Sequence, residues 1–193
     1  MADQLDLTPA AHRMAAVVAG VRDDALANPT PCSQYTVGDL LDHIGGLTIA
    51  FTGAAKKDLG EAGSPPLGRA ELLGDDWRTR IPADLELLAA AWRDPEAWKG
   101  MTRAGGIDMP GEIAGVVAAD ELLVHGWDLA KASGQDFETD DATADAALGF
   151  YAMFGEGDRG DAFGAANPQP DTASKLDQVI GLSGRDPGWS PPG

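Results

Sequence analysis

Every long apolar stretch of this chain repeats at helical spacing, and none alternates as a strand would over a useful length. Clusters of Pro, Gly and Asn separate those stretches, so the chain is predicted to fold as successive helices joined by turns. The first helix opens at Thr8 with Pro9 at the first helical position, and Ala10, Met14, Val17, Val18 and Val21 recur at helical spacing through it. Asn28-Pro29-Thr30-Pro31 then breaks the chain. Thr36 reads as the cap of a second helix, with Asp39 near its positive end. Val37, Leu40, Leu41, Ile44, Leu47, Thr48 and Phe51 form its stripe, and His43 lies on the flank.

Residues 56–66 read as a loop, followed by a third helix over about 69–93 with Leu72, Leu73, Trp77, Ile81, Leu85, Leu87 and Leu88 inward. Pro82 is expected to split or kink it. The Gly-rich run 100–111 reads as a second loop. A fourth helix follows over about 111–133, with Ile113, Val116, Val117, Val124 and Trp127 inward and Gly134 as its stop. Shorter helices are expected over about 141–154 and 174–182, with an irregular tail. The predicted class is all-α: a four-helix bundle over residues 1–134, with a short helical and irregular C-terminal extension, 135–193, packed on the same domain. Essentially no sheet is expected within 1–134.

Glu121 and His125 in ELLVHGWD lie four residues apart, which on a helix stacks both side chains on one face. A histidine from elsewhere could complete a set of two imidazoles and one carboxylate, an arrangement that leaves metal positions open for water or substrate. His43 in LLDHIGG is the candidate; on pattern alone it is either that ligand or a core histidine hydrogen-bonded to a neighbour. Asp128 either accepts a hydrogen bond from a ligand imidazole or makes a surface interaction near the helix end. Asp120 falls within the apolar face, where it serves the metal surroundings or ties helices together. The single cysteine, Cys32, is a candidate nucleophile or fourth ligand, but with no histidine beside it in sequence the preferred reading is a buried structural thiol. His12 reads as inert and exposed, and Trp127 as a core aromatic. Gly45 and Gly46 follow no strand, so they read as permitting close helix approach rather than phosphate binding.

Composition narrows the function. Fourteen Lys and Arg stand against 31 Asp and Glu, a formal charge of −17, which disfavours phosphate backbones and anionic membranes. No apolar run is long enough to span a bilayer, and the first residues lack the pattern of a secretory signal. One cysteine allows no intrachain disulfide, consistent with a reducing cytoplasm. The expected partner is a small-molecule substrate, not nucleic acid or membrane, and a homodimer is compatible with the sequence.

The runs PTPCSQYTVGDLLDHIGGL, ELLVHGWDLAKASG and GLSGRDPGW resemble the DinB/YfiT-like metalloenzyme superfamily, within it the branch of mycothiol-dependent maleylpyruvate isomerase N-terminal domains. The similarity runs over almost the whole chain. It implies an up-and-down four-helix bundle holding one divalent ion through positions matching His43, Glu121 and His125. Zinc is foremost, with nickel or iron as alternatives. Relatives use low-molecular-weight thiols such as mycothiol or bacillithiol in transfer or isomerisation, which implies mycothiol as cosubstrate. Two departures stand out. Tyr35 occupies a position where relatives commonly carry Trp, and residues 135–193 are too few for the large C-terminal domain of the isomerase.

The resemblance thus implies a metal-dependent S-transferase or isomerase acting on a small electrophile. The alternatives are a metal-dependent hydrolase and a non-catalytic metal-binding or sensing domain. A non-haem iron oxygenase would use the same donor set, but bundle folds with iron usually hold two irons through more carboxylates.

Overall fold

The computed structural model describes residues 4–58, 68–154 and 164–191. Its helices are α1 (Thr8–Gly20), α2 (Val37–Lys56), α3 (Trp77–Trp92), α4 (Gly111–Ser133), α5 (Asp141–Tyr151) and α6 (Lys175–Leu182). A hairpin of β1 (Met101–Ala104) and β2 (Ile107–Pro110) lies between α3 and α4.

The first four helices form the bundle. Helices α1 and α2 each pack against both α3 and α4, so the order around the bundle is α1, α3, α2, α4. Helices α2 and α4 are neighbours as a result, although more than fifty residues separate them in sequence. This adjacency positions the candidate site. The main core joins Met14, Val18, Leu40, Leu41, Ile44, Ile81, Leu85, Leu88 and Trp92, all nearly inaccessible. A second cluster places Leu123, Val124 and Trp127 of α4 against Phe150 and Tyr151 of α5 and Val179 and Ile180 of α6. Helix α4 is therefore covered on two sides, which explains why its apolar residues do not form one stripe.

Local chemistry sets the ends of α2. Thr36 and Asp39 form a reciprocal capping box: Asp39 N–H donates to Thr36 Oγ1 (3.3 Å) and Thr36 N–H donates to Asp39 Oδ2 (3.0 Å). Asp39 Oδ1 also accepts from Ala70 N–H (2.8 Å), and Asp42 Oδ2 accepts from Arg69 N–H (3.0 Å). Those two bonds draw residues 69–70 onto α2. Here the structure corrects the sequence expectation: the third helix begins at Trp77, and Ala70–Leu72 forms a separate 3-10 turn. Leu72 and Leu87, expected inward, are exposed. Helix α3 continues through Pro82, which stands early enough that only the Arg78 carbonyl lacks its usual partner along the helix.

The run 100–111, expected as a loop, contains the hairpin. Gly105 and Gly106 form its two-residue turn with φ of 55° and 79°, the left-handed geometry that twists two strands together. Arg103 and Asp108 face each other across the ladder with two bonds of 2.7 and 2.9 Å. Thr102 Oγ1 anchors β1 to α2 by donating to Ala54 O (2.7 Å).

Candidate metal centre

Helix α2 carries His43 and helix α4 carries Glu121 and His125. Each of the three offers a ligand atom, and these atoms lie within 4.8 Å of one another. The two imidazoles meet edge to face, with ring centroids 5.0 Å apart at 88°. The Tyr35 ring lies 5.1 Å from that of His43, tilted by 37°. His125 is buried, while Glu121 and His43 are partly accessible. Two imidazole nitrogens and a carboxylate oxygen, drawn together from two helices and open on one side, are a donor set that suits zinc.

The ring of His125 works on both edges. Nε2 lies 3.0 Å from Glu121 Oε2, and Nδ1 lies 3.1 Å from Asp128 Oδ2. Asp128 is fully buried on the same helix, three residues on. It is also bound from outside α4: Arg185 Nη2 donates to Asp128 Oδ2 at 3.1 Å and Nε donates to Oδ1 at 3.4 Å. The Arg185 guanidinium is 14% exposed and also donates through Nη1 to Ser183 O (3.0 Å). Of the two options open for Asp128 in the sequence, the geometry favours acceptance from the imidazole.

Burial opposes a charged imidazolium at His125, but hydrogen bonds to Asp128 and Glu121 outweigh it and raise the pKa to about 9. Burial likewise opposes the Glu121 carboxylate, and the His125 contact outweighs it, leaving its pKa below the ordinary value. The proton between these two side chains is the one an incoming cation displaces. Metal uptake by the metal-free protein should therefore release a proton. Apparent affinity should rise by up to tenfold per pH unit until about pH 9. The folded protein holds this proton more tightly than the unfolded chain. Stability from it is fully present below the ordinary 6.5 and is lost as pH rises through about 9. Metal titrations and denaturation of the metal-free protein across that window check both statements; affinity that falls with pH contradicts them.

Asp120 resolves toward tying helices together. Tyr151 of α5 donates its hydroxyl to Asp120 Oδ2 at 2.8 Å. Burial, then the neighbouring Glu121 charge, raises the Asp120 pKa to about 7. Trp127 is a core aromatic. Gly45 sits where a Cβ would come 3.1 Å from Arg80, so it permits close approach of α2 and α3. His12 is exposed and pairs with Glu86 at 2.8 Å.

One feature was ranked too low and another was missed. Cys32, read as a structural thiol, is only half buried, and it places Sγ within 4.8 Å of ligand atoms of His125 and Asp128. Proximity in sequence was the wrong test, because the segment before α2 folds back against α4. Arg185 was hidden in a tail that has no helical face; the only signal was a lone Arg within the Gly- and Pro-rich GLSGRDPGW. A surface cavity of about 460 Å³ lies beside α2, between Asp42, Gly45, Ile49, Arg69 and Arg80. None of His43, Glu121 and His125 lines it. Among the described residues no helix is long and apolar enough to cross a membrane.

The chain is similar to known proteins in sequence and fold. The profile of the mycothiol maleylpyruvate isomerase N-terminal domain matches residues 7–130. Two uncharacterized Mycobacterium tuberculosis proteins, MT0763 of strain CDC 1551 / Oshkosh and Rv0738 of strain ATCC 25618 / H37Rv, are each 30% identical over 177 residues, 89% of this chain and 91% of the relative. The crystal structures of the mycothiol-dependent maleylpyruvate isomerase and of a mutant of it superpose with a TM-score of 0.58, at 17% and 15% identity, over 76% of this chain and 68% of theirs. The profile match spans the bundle from α1 to α4 and includes His43, Glu121 and His125. This chain belongs to the mycothiol maleylpyruvate isomerase N-terminal domain family.

Proposed function

We propose that this protein is a divalent-metal-dependent enzyme of thiol chemistry, an isomerase or S-transferase that uses a mycothiol-type thiol on a small electrophile. The observation that carries it is the convergence of His43, Glu121 and His125 within a domain of this family. His43 and His125 would hold the ion through one nitrogen each and Glu121 through one oxygen. A bound divalent ion supplies a Lewis acid that lowers the pKa of a thiol or water at its open position.

The chain's own residues support that chemistry in four ways. Asp128 accepts from His125 Nδ1 and so fixes the tautomer that leaves Nε2 free to ligate. Glu121 brings one negative charge, so a divalent ion keeps net positive charge toward an anionic thiolate. Arg185 offsets the negative charge of Asp128 beside the centre, in a protein of formal charge −17. Tyr35, half buried beside His43, walls one side of the centre.

The test compares zinc-loaded and metal-stripped protein with mycothiol, bacillithiol and glutathione against several electrophiles, maleylpyruvate among them. Turnover that requires both metal and mycothiol is expected. If no thiol is used above the rate of the stripped protein, the thiol role falls and metal-dependent hydrolysis or a binding role moves ahead. A closed binding site would need a fourth protein ligand at the same ion.

A further inference from the structure

His125 belongs to two donor sets. One joins it to His43 and Glu121; the other joins it to Cys32 and Asp128, again with ligand atoms within 4.8 Å. The sets use opposite edges of one ring, because Nε2 faces Glu121 and Nδ1 faces Asp128. The second set is the softer, since it contains a thiol, and zinc-like ions bind thiolates at least as readily as carboxylates. Something must decide which edge of His125 takes the ion.

Resting on the metal reading above, we propose that Arg185 is a built-in cation that occupies the second donor set and so directs a divalent ion to His43, Glu121 and His125. The guanidinium approaches both oxygens of Asp128, at 3.1 and 3.4 Å. It shares Oδ2 with His125 Nδ1, so the oxygen that would ligate a cation already accepts two donors. Nη1 is held by Ser183 O, which keeps the side chain in place from the turn after α6. A guanidinium stays protonated at any working pH, so this cation cannot be titrated away. A second ion at Asp128 would meet it at close range in a poorly solvated place. Arg185 is in these terms a positioning residue. It keeps Asp128 as acceptor for Nδ1–H and leaves Nε2 as the only ligating edge.

The probe is Co²⁺ added alone to the metal-stripped full chain, because a thiolate ligand gives cobalt an intense near-ultraviolet charge-transfer band and the nitrogen and oxygen ligands do not. Wild type should bind cobalt without that band, and Cys32→Ser should leave its spectrum unchanged. Arg185→Met should bring the band in, and adding Cys32→Ser to it should remove the band again. Arg185→Lys, which keeps a cation, should behave as wild type. Should Arg185→Met lose its helical circular dichroism, Arg185→Gln carries the same expectation, since it keeps a donor to Asp128 without the charge. Wild-type protein that already shows the band, or an uncharged variant whose cobalt spectrum matches wild type, overturns this role for Arg185 alone. Wild type that binds no cobalt overturns the role together with the proposed metal function.

Discussion

His125→Ala is expected to release the metal and abolish thiol-dependent turnover together. Among the described residues His125 is the donor common to both candidate sets, and it is buried. Loss of a group behind a metal ligand weakens affinity by about 10–100-fold, and loss of the ligand itself should exceed that. Cys32→Ser should keep both metal and activity. Glu121→Gln should separate the roles. It preserves shape while removing the anionic oxygen, so affinity falls and any ion that remains is more electrophilic. Elemental analysis after dialysis, read beside the assay, checks all three variants. A His125→Ala protein that keeps its ion and its turnover would contradict the assignment of His125.

Asp128→Ala should be the most destabilising single change at the site, by about 3–5 kcal/mol, the usual result of removing one partner from a buried ion pair. Asp128 is inaccessible to solvent, and the Arg185 side chain beside it is 14% exposed. Removing the carboxylate leaves that cation without a counter-charge and His125 Nδ1–H without an acceptor. It also frees the segment after α6 from α4. Urea denaturation should show a lower midpoint with a similar slope. Asp128→Asn, which keeps an acceptor oxygen, should lose less. A change below about 1 kcal/mol would mean that Arg185 reaches water when its partner is gone.

The sequence made some of this legible and hid the rest for physical reasons. Helices α1 and α2 were readable because each buries one stripe and begins with a recognisable signal, Pro9 or the Thr36–Asp39 box. Helix α3 was drawn too long because Leu72 and Leu73 continue its apolar pattern, while Asp39 and Asp42 capture the backbone of residues 69–70 for a different turn. The hairpin was missed because four-residue strands are too short for alternation to show, although Gly105-Gly106 was its turn signal. Glu121 and His125 were paired by spacing alone. His43 needed the family resemblance, because periodicity does not say that α2 and α4 are neighbours. Cys32 and Arg185 come to the centre from irregular segments, for which sequence spacing has no geometric meaning.

The most direct measurement is the divalent-metal content of the purified protein after loading and dialysis, wild type against His43→Ala. His43 is the donor that α2 contributes to the proposed ligand set, and it is far in sequence from the other two. A stoichiometric ion in wild type, lost from a His43→Ala protein that keeps its helical circular dichroism, is the predicted result. An ion retained by His43→Ala, or none held by wild type even when zinc is supplied, would contradict the metal centre.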